Sequence, residues 1–382
     1  MAEETVLHGR VVLPDRVIPN GEIILVGDRI QSVHEAPTRP HATHRWREGW
    51  IFPGLIDLHI HGILGSDVMD GTVESLLAMD TALARVGCTG YLATTMSATE
   101  PELERVFNAV SAFRALHPGS GLLGVHMEGP YIHPDRIGAQ RPDAVRNPSV
   151  AEVQAFHRRW GTELRRITIA PERLGSAELM AFCQEAEIRL SAGHSNATFE
   201  EAYRAFDAGI QQVTHLFNAM TALNHRAPGL AGAALLHPAV RVELIADGVH
   251  LHPATLKLAE RMKGPDHILL VTDAMRATLL PDGVYDLGGQ AMTVAGGVAR
   301  TAQGSLAGST LTLMKAVFQY REFTGVDLSQ AVRAASLSPA RAMGWTDRGA
   351  LQSGYWADVL LVDNAGHNRM TWRGGRVIYD GR

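Results

Sequence analysis

Short apolar runs alternating with longer amphipathic stretches organise most of this chain. From Trp50 onward eight runs read as strands: Ile51–Ile60, Gly90–Thr94, Leu122–Glu128, Arg166–Ala170, Ile188–Ala192, Gln212–His215, Val242–Ala246 and Ile268–Thr272. Between them Val73–Val86, Pro101–Leu116, Val150–Trp160, Ser176–Glu187 and Phe199–Ala208 read as helices. Such alternation is the signature of repeated βα units around a parallel sheet, and eight strands is the count a closed (β/α)₈ TIM barrel needs. The expected fold class is therefore α/β.

The two ends of the chain depart from this pattern. Thr5–Val12 and Glu22–Val33 read as strands set apart by turn signals at Pro14 and Asn20-Gly21. Asp358–Val362, Arg369–Trp372 and Arg376–Tyr379 resemble them in length and valine content. The expectation is a small β-sandwich domain built from residues 1–50 and 350–382, beside a barrel domain of residues 51–349. Before the last strands come a glycine-rich segment, Gly288–Gly308, and helical stretches Thr310–Phe323 and Leu328–Met343. Gly288-Gly289 and Gly296-Gly297 read as hairpin turns rather than a phosphate cradle, because no dinucleotide fingerprint follows a strand here.

Composition narrows the partners. A chain of 382 residues that is 46% hydrophobic can fill the core of one large domain and a small one. The net charge of −5 and the lack of any Lys/Arg block argue against nucleic acid. The longest charge-free stretch, Ala208–His225, is interrupted by Gln211, Gln212, His215, Asn218 and Asn224, whereas a membrane span needs roughly 20 mainly apolar residues. Only Cys88 and Cys183 are present, which suggests neither a disulfide framework nor a thiolate zinc site and fits a reducing compartment. Met1–His8, with Glu3 and Glu4, lacks the basic-then-apolar order of an export signal. The expected location is the cytoplasm.

The chain's 18 histidines change the picture, because several end apolar runs. Active sites of such barrels sit at the C-terminal ends of the strands. There stand His59 and His61 after the first run, His126 and Glu128 after the third, His194 after the fifth, His215 after the sixth and Asp273 after the eighth. Imidazole and carboxylate together suit zinc, iron and similar divalent ions. Alternation puts His59 and His61 on one face of their strand, so both can reach one ion. His126 alone reads as an ordinary buried residue.

The run Pro53-Gly54-Leu55-Ile56-Asp57-Leu58-His59-Ile60-His61-Gly62 resembles the first-strand motif of the amidohydrolase superfamily. No lysine stands at a candidate strand end to bridge two metals. Instead His126-Met127-Glu128-Gly129-Pro130 resembles the N-acetylglucosamine-6-phosphate deacetylase family, in which a glutamate is the metal ligand. The likeness continues through Ser191–Ser195, Thr214–Met220, Ala246–His250, Val271–Ala274 and Gly354–Asp358.

That resemblance implies metal-dependent hydrolysis of the acetamide of N-acetylglucosamine 6-phosphate, in amino-sugar catabolism and cell-wall sugar recycling, by a homodimer. It implies Glu128, His194 and His215 as ligands of the main metal, and His59 and His61 as ligands of a second, so one or two divalent ions per chain. Asp273 becomes the proton carrier and His250 the group facing the carbonyl. Asn218 and Ala219 touch substrate, Arg226 holds phosphate with Ala139 beside it, and Leu306-Ala307-Gly308 closes the sugar pocket. Gln140 departs from the histidine found there in some members. Alternatives are a deacetylase for the galactosamine isomer, a D-aminoacylase, a cyclic-amide hydrolase, or a barrel that has lost its chemistry, whose sign would be missing ligands.

Overall fold

Glycines decide where the first strands turn. Glu4–Val12 (β1) pairs antiparallel with Val17–Val26 (β2), and a two-residue Gly27-Asp28 turn leads into Arg29–His34 (β3), with Val26 opposite Arg29. The single strand expected over Glu22–Val33 is thus a hairpin, its glycine at φ +58°. His44–Pro53 (β4) runs parallel to β1, and Leu55–Ile60 (β5) opens a different sheet. The run expected as one strand over Ile51–Ile60 is therefore divided at Gly54, where a Cβ would lie 2.0 Å from Thr89 Oγ1. The chain is described here over residues 4–382 in a computed structural model; Met1–Glu3, on which the export argument partly draws, lie outside the described residues.

A short hairpin, Gly62–Ile63 (β6) and Ser66–Asp67 (β7), follows β5. Cys88–Thr95 (β8), Leu122–Glu128 (β9), Leu164–Ile169 (β10), Arg189–Ala192 (β11), Gln212–Val213 (β12), Arg241–Leu244 (β13) and Ile268–Leu270 (β14) join β5 in an eight-stranded parallel sheet in sequence order. Both faces of β5 and β8 are buried throughout, as parallel strands wrapped by helices must be. The seam between last and first strands is drawn together by main-chain bonds: the N–H of Asp273 donates to the His59 carbonyl, and that of His61 to the Ala274 carbonyl, each at 2.9 Å.

Each barrel strand feeds a helix: Val73–Arg85 (α1), Glu100–Leu116 (α2), Val150–Trp160 (α3), Ser176–Glu185 (α4), Phe199–Asp207 (α5), Gly229–Leu236 (α6), Pro253–Lys263 (α7) and Leu313–Thr324 (α8). In α2 the buried positions Leu103, Val106, Phe107, Val110 and Phe113 fall at helical spacing, and Thr99 with Glu102 forms a capping box that starts the helix. The helix expected over Leu328–Met343 is two, Leu328–Ala334 (α9) and Leu337–Ala342 (α10). Pro339 has no N–H to offer the Ala335 carbonyl, which accepts instead from the N–H of Ile56 at 2.9 Å.

Between β14 and α8 the glycine-rich segment folds into Gly283–Leu287 (β15), Gln290–Ala295 (β16) and Val298–Arg300 (β17). Its two Gly-Gly pairs, all at positive φ, make the two hairpin turns as expected. Leu287, Met292, Val294 and Ala299 pack with Met96, Met275 and Ala307. Val359–Asp363 (β18), Asn368–Arg373 (β19) and Arg376–Asp380 (β20) complete a seven-stranded sheet in the order β20-β19-β18-β4-β1-β2-β3. Leu7, Ile23, Ile51, Leu361 and Trp372 belong to its own core. The fold is a (β/α)₈ barrel with a small, separate β-sheet domain drawn from both ends of the chain, a single seven-stranded sheet where a sandwich was expected. Among the described residues no helix is long and apolar enough to cross a membrane.

Candidate active site

The barrel strands deliver their polar residues at sharp bends. His194, His215 and Asp273 lie just past the ends of β11, β12 and β14, with φ of 46°, 28° and 49°. Phe217 and Ala219 share this left-handed backbone, at 77° and 50°. Side-chain-bearing residues seldom adopt it, and each instance costs about 1–3 kcal/mol unless the surroundings impose it. Here they do: the His194 carbonyl accepts from the His133 N–H at 2.8 Å, and the Leu216 N–H donates to the Glu243 carbonyl at 2.9 Å.

Together with His59 and His61 at the end of β5, these bends gather four imidazole Nε2 atoms around one carboxylate. Glu128 Oε1 lies 3.1 Å from His194 Nε2 and 3.0 Å from His215 Nε2. Glu128 Oε2 lies 3.3 Å from His61 Nε2, and the Nε2 atoms of His59 and His61 are 3.3 Å apart. Asp273 Oδ1 closes the ring, 3.1 Å from His61 Nε2 and 3.5 Å from His59 Nε2. Two metal-sized clusters result, Glu128–His194–His215 and His59–His61–Glu128, all buried. Burial opposes charge on Glu128, yet the surrounding imidazoles hold its carboxyl well below the ordinary range.

The tautomers fit a cation. His194 Nδ1 is 2.7 Å from the Arg136 carbonyl, His61 Nδ1 3.1 Å from the Thr94 carbonyl and His59 Nδ1 3.1 Å from Glu243 Oε2. Each Nδ1–H donates to its oxygen, which leaves the Nε2 lone pair turned inward, as metal-ligating histidines require. His126 stands apart: its Nε2 is 2.7 Å from Thr168 Oγ1, an ordinary buried hydrogen bond.

A cavity of about 400 Å³ opens onto this ring. His61, Glu128, His194, His215, Asp273 and His250 line it with Ala139, Asn218, Ala219, Leu306 and Gly308. Asp247 Oδ2 accepts from His250 Nδ1 at 2.7 Å and orients the ring. Gln290 Nε2 donates to the Ala139 carbonyl at 2.8 Å, so the small β15–β17 sheet steadies that wall. Gly308, at φ +60°, passes so close that a Cβ would stand 3.0 Å from the Asp273 carbonyl oxygen.

Two expected residues fall elsewhere. Ala307 is buried against the β15–β17 sheet, with its N–H donating to the Ala299 carbonyl at 3.1 Å. Arg226 is exposed on the turn between Asn224 and Ala227 and does not line the cavity.

Sequence reasoning passed over Gln140 as a site residue and noticed it only as a departure. It is buried, accepts from the Ser97 N–H at 2.6 Å and donates Nε2–H to Glu128 Oε2 at 2.7 Å. Glu243 and Arg166 also went unremarked; a charged residue inside an apolar strand was the available signal.

Comparison with known proteins agrees with this geometry. The profile of the amidohydrolase family matches residues 50–378. An N-acetylglucosamine-6-phosphate deacetylase of Lysinibacillus sphaericus is 37% identical over 86% of this chain and 85% of its own length. An N-acetylgalactosamine-6-phosphate deacetylase of Escherichia coli O157:H7 is 38% identical over 85% of this chain and 86% of its own. A mutant N-acetyl-D-glucosamine-6-phosphate deacetylase from Mycobacterium smegmatis, solved in complex with N-acetyl-D-glucosamine-6-phosphate, superposes with a TM-score of 0.93 at 31% identity, covering 98% of this chain and 99% of that one. With five histidines and carboxylates drawn to one barrel mouth and relatives matched along nearly its whole length, this chain belongs to the amidohydrolase family and, within it, to the N-acetylglucosamine-6-phosphate deacetylases.

Proposed function

We propose that the cavity binds N-acetylglucosamine 6-phosphate with its acetamide against the Glu128 ring and hydrolyses it to glucosamine 6-phosphate and acetate. The observation that carries this reading is the set of four inward-facing Nε2 atoms around Glu128, with the Asp273 carboxylate at its edge. Glu128, His194 and His215 would hold one divalent ion, and His59 and His61 with Glu128 would hold a second; zinc and iron both suit such ligands. A bound divalent ion supplies Lewis acidity, polarising the carbonyl and acidifying water.

Asp273 does the proton work. Its carboxylate takes a proton from the attacking water as the oxygen bonds to the carbonyl carbon, then gives it to the nitrogen as the C–N bond breaks. Burial opposes its ionisation, but His59 and His61 keep its pKa below the ordinary value, so it is a base at neutral pH. His250, whose Nδ1–H is held by Asp247, faces the substrate, and in its doubly protonated form the ring donates Nε2–H to the oxyanion. Asn218 and Ala219 contact the sugar, and Leu306 with Gly308 closes the pocket.

If two ions are held, the pair His59→Asn and His61→Asn lowers bound metal from about two ions per chain toward one, with the fold retained, by elemental analysis and circular dichroism. One ion per wild-type chain in excess metal would rule out the second position.

Among the described residues no Arg or Lys lines the cavity, so a phosphate must find its cation at or beyond the rim. We assign Arg226 to it, with a planar fork suited to phosphate oxygens. In the homodimer that we also propose, the exposed guanidinium can serve its own mouth or a neighbour's. Arg226→Ala should lower the kcat/KM preference for phosphorylated over unphosphorylated sugar by roughly tenfold to a hundredfold, whichever copy supplies it. An unchanged ratio returns Arg226 to the surface. The two free, buried cysteines, Cys88 and Cys183, accord with a cytoplasmic location.

A further inference from the structure

Beneath the ring of histidines the barrel interior holds a charged pair that the proposed chemistry does not use. Arg166 on β10 and Glu243 on β13 are both fully buried and form an ion pair through Glu243 Oε1. Arg166 also donates Nη2–H to Ser191 Oγ at 2.9 Å. The other carboxylate oxygen, Glu243 Oε2, takes two donors: the Nδ1–H of His59 at 3.1 Å and the main-chain N–H of His215 at 3.0 Å. His59 belongs to one metal-sized cluster and His215 to the other.

We infer that Glu243, anchored by Arg166, is a positioning residue that ties the two metal positions together through this single oxygen. The inference rests on the metal-centre reading above. Stability alone does not call for such a pair, since well-packed apolar residues of similar volume replace a buried ion pair at no loss or with a gain. What apolar residues cannot do is fix an imidazole. The carboxylate holds His59 in the Nδ1–H tautomer, turns its Nε2 lone pair to the centre and makes the ring a stronger ligand. His215 needs a different grip, because its own Nδ1 is buried without a partner. Glu243 supplies it through the backbone, at the residue whose φ of 28° departs from common conformations.

The test is zinc affinity, measured by competition with a chromophoric chelator on folded protein. In Arg166→Met/Glu243→Leu both charges leave together, so no unpaired ion remains in the core. Zinc binding should weaken by about tenfold to a hundredfold at both positions, the range typical for loss of a carboxylate that orients a ligating histidine. Ile167→Val, a change in the barrel core that leaves the pair intact, should bind zinc as the wild type does, separating positioning from general destabilisation. Should the double variant fail to fold, Glu243→Asp keeps the charge and shortens its reach, and the same weakening is expected. Wild-type affinity in either folded variant overturns the inference. A wild-type protein that binds no zinc, iron or other divalent ion overturns the metal-centre reading itself, and this inference with it.

Discussion

Replacing Asp273 with asparagine should lower kcat by about 10²–10⁴-fold, the range that a positioned general acid–base contributes, with the ion at Glu128, His194 and His215 still bound. Asparagine keeps the shape but cannot accept the proton. It is also one of the few residues that tolerate the left-handed backbone of this position, at φ +49°. The main-chain bonds of this residue, Asp273 N–H to the His59 carbonyl at 2.9 Å and Ser309 N–H to the Asp273 carbonyl at 2.6 Å, are therefore preserved. The Asp273 carboxylate touches His59 and His61, not His194 or His215, so the loss falls on chemistry more than on the main ion. Because the interaction matters only as the proton moves, kcat and kcat/KM should fall together. Steady-state kinetics with elemental analysis of the same sample reads both quantities. Turnover near the wild-type rate would move the proton work to another group.

Glu128→Ala should be more damaging still. Its carboxylate belongs to both clusters, with Oε1 against His194, His215 and His59 and Oε2 against His61, so one truncation takes a ligand from both metal positions. Bound metal should drop close to zero and activity by at least about a thousandfold, given the several kcal/mol of charge stabilisation that a catalytic metal contributes. His194→Ala removes a ligand from one cluster only, so metal and activity fall together but less completely. Metal content by elemental analysis, beside the deacetylation rate, checks the order. Undiminished metal in both variants would place the centre elsewhere.

Much of this site was legible because barrel geometry turns a linear pattern into a spatial one. A polar residue that ends a buried apolar run must emerge at the mouth, and His61, Glu128, His194, His215 and Asp273 all do so. The two-residue spacing of His59 and His61 likewise became a single facing pair. The interior layer was hidden for the converse reason. Arg166 stood at the start of an apolar run and read as its boundary, and Glu243 was averaged into Val242–Ala246, although a charge inside a doubly buried strand needs a buried partner. Gln140 sits in a loop, where periodicity says nothing about which side chain turns inward. Arg226 was placed by resemblance rather than by pattern, and its position outside the cavity could not be read from spacing. The division at Gly54 was invisible because Ile51–Ile60 is apolar on both sides of it; what separates the halves is the close approach of Thr89, a contact distant in sequence.

The sheet drawn from both ends of the chain has a consequence in time. Trp46 donates its indole N–H to the Val362 carbonyl across 316 residues, and Phe52 on β4 lies opposite Leu360 on β18. At roughly 5–20 residues per second of synthesis, β4 waits on the order of a quarter of a minute to a minute for that partner. Within the barrel each strand pairs with the one made just before it, and only the closing seam of β14 against β5 waits in a similar way. During the wait β4 offers an open edge bearing Ile51 and Phe52, the kind of template on which nascent chains pair wrongly with one another. β18 is thus a late-arriving seal on an early-made edge: a polypeptide released before Val359 would carry a barrel ready to form and a permanently exposed strand beside it, and a cell's protein quality control would meet that strand first.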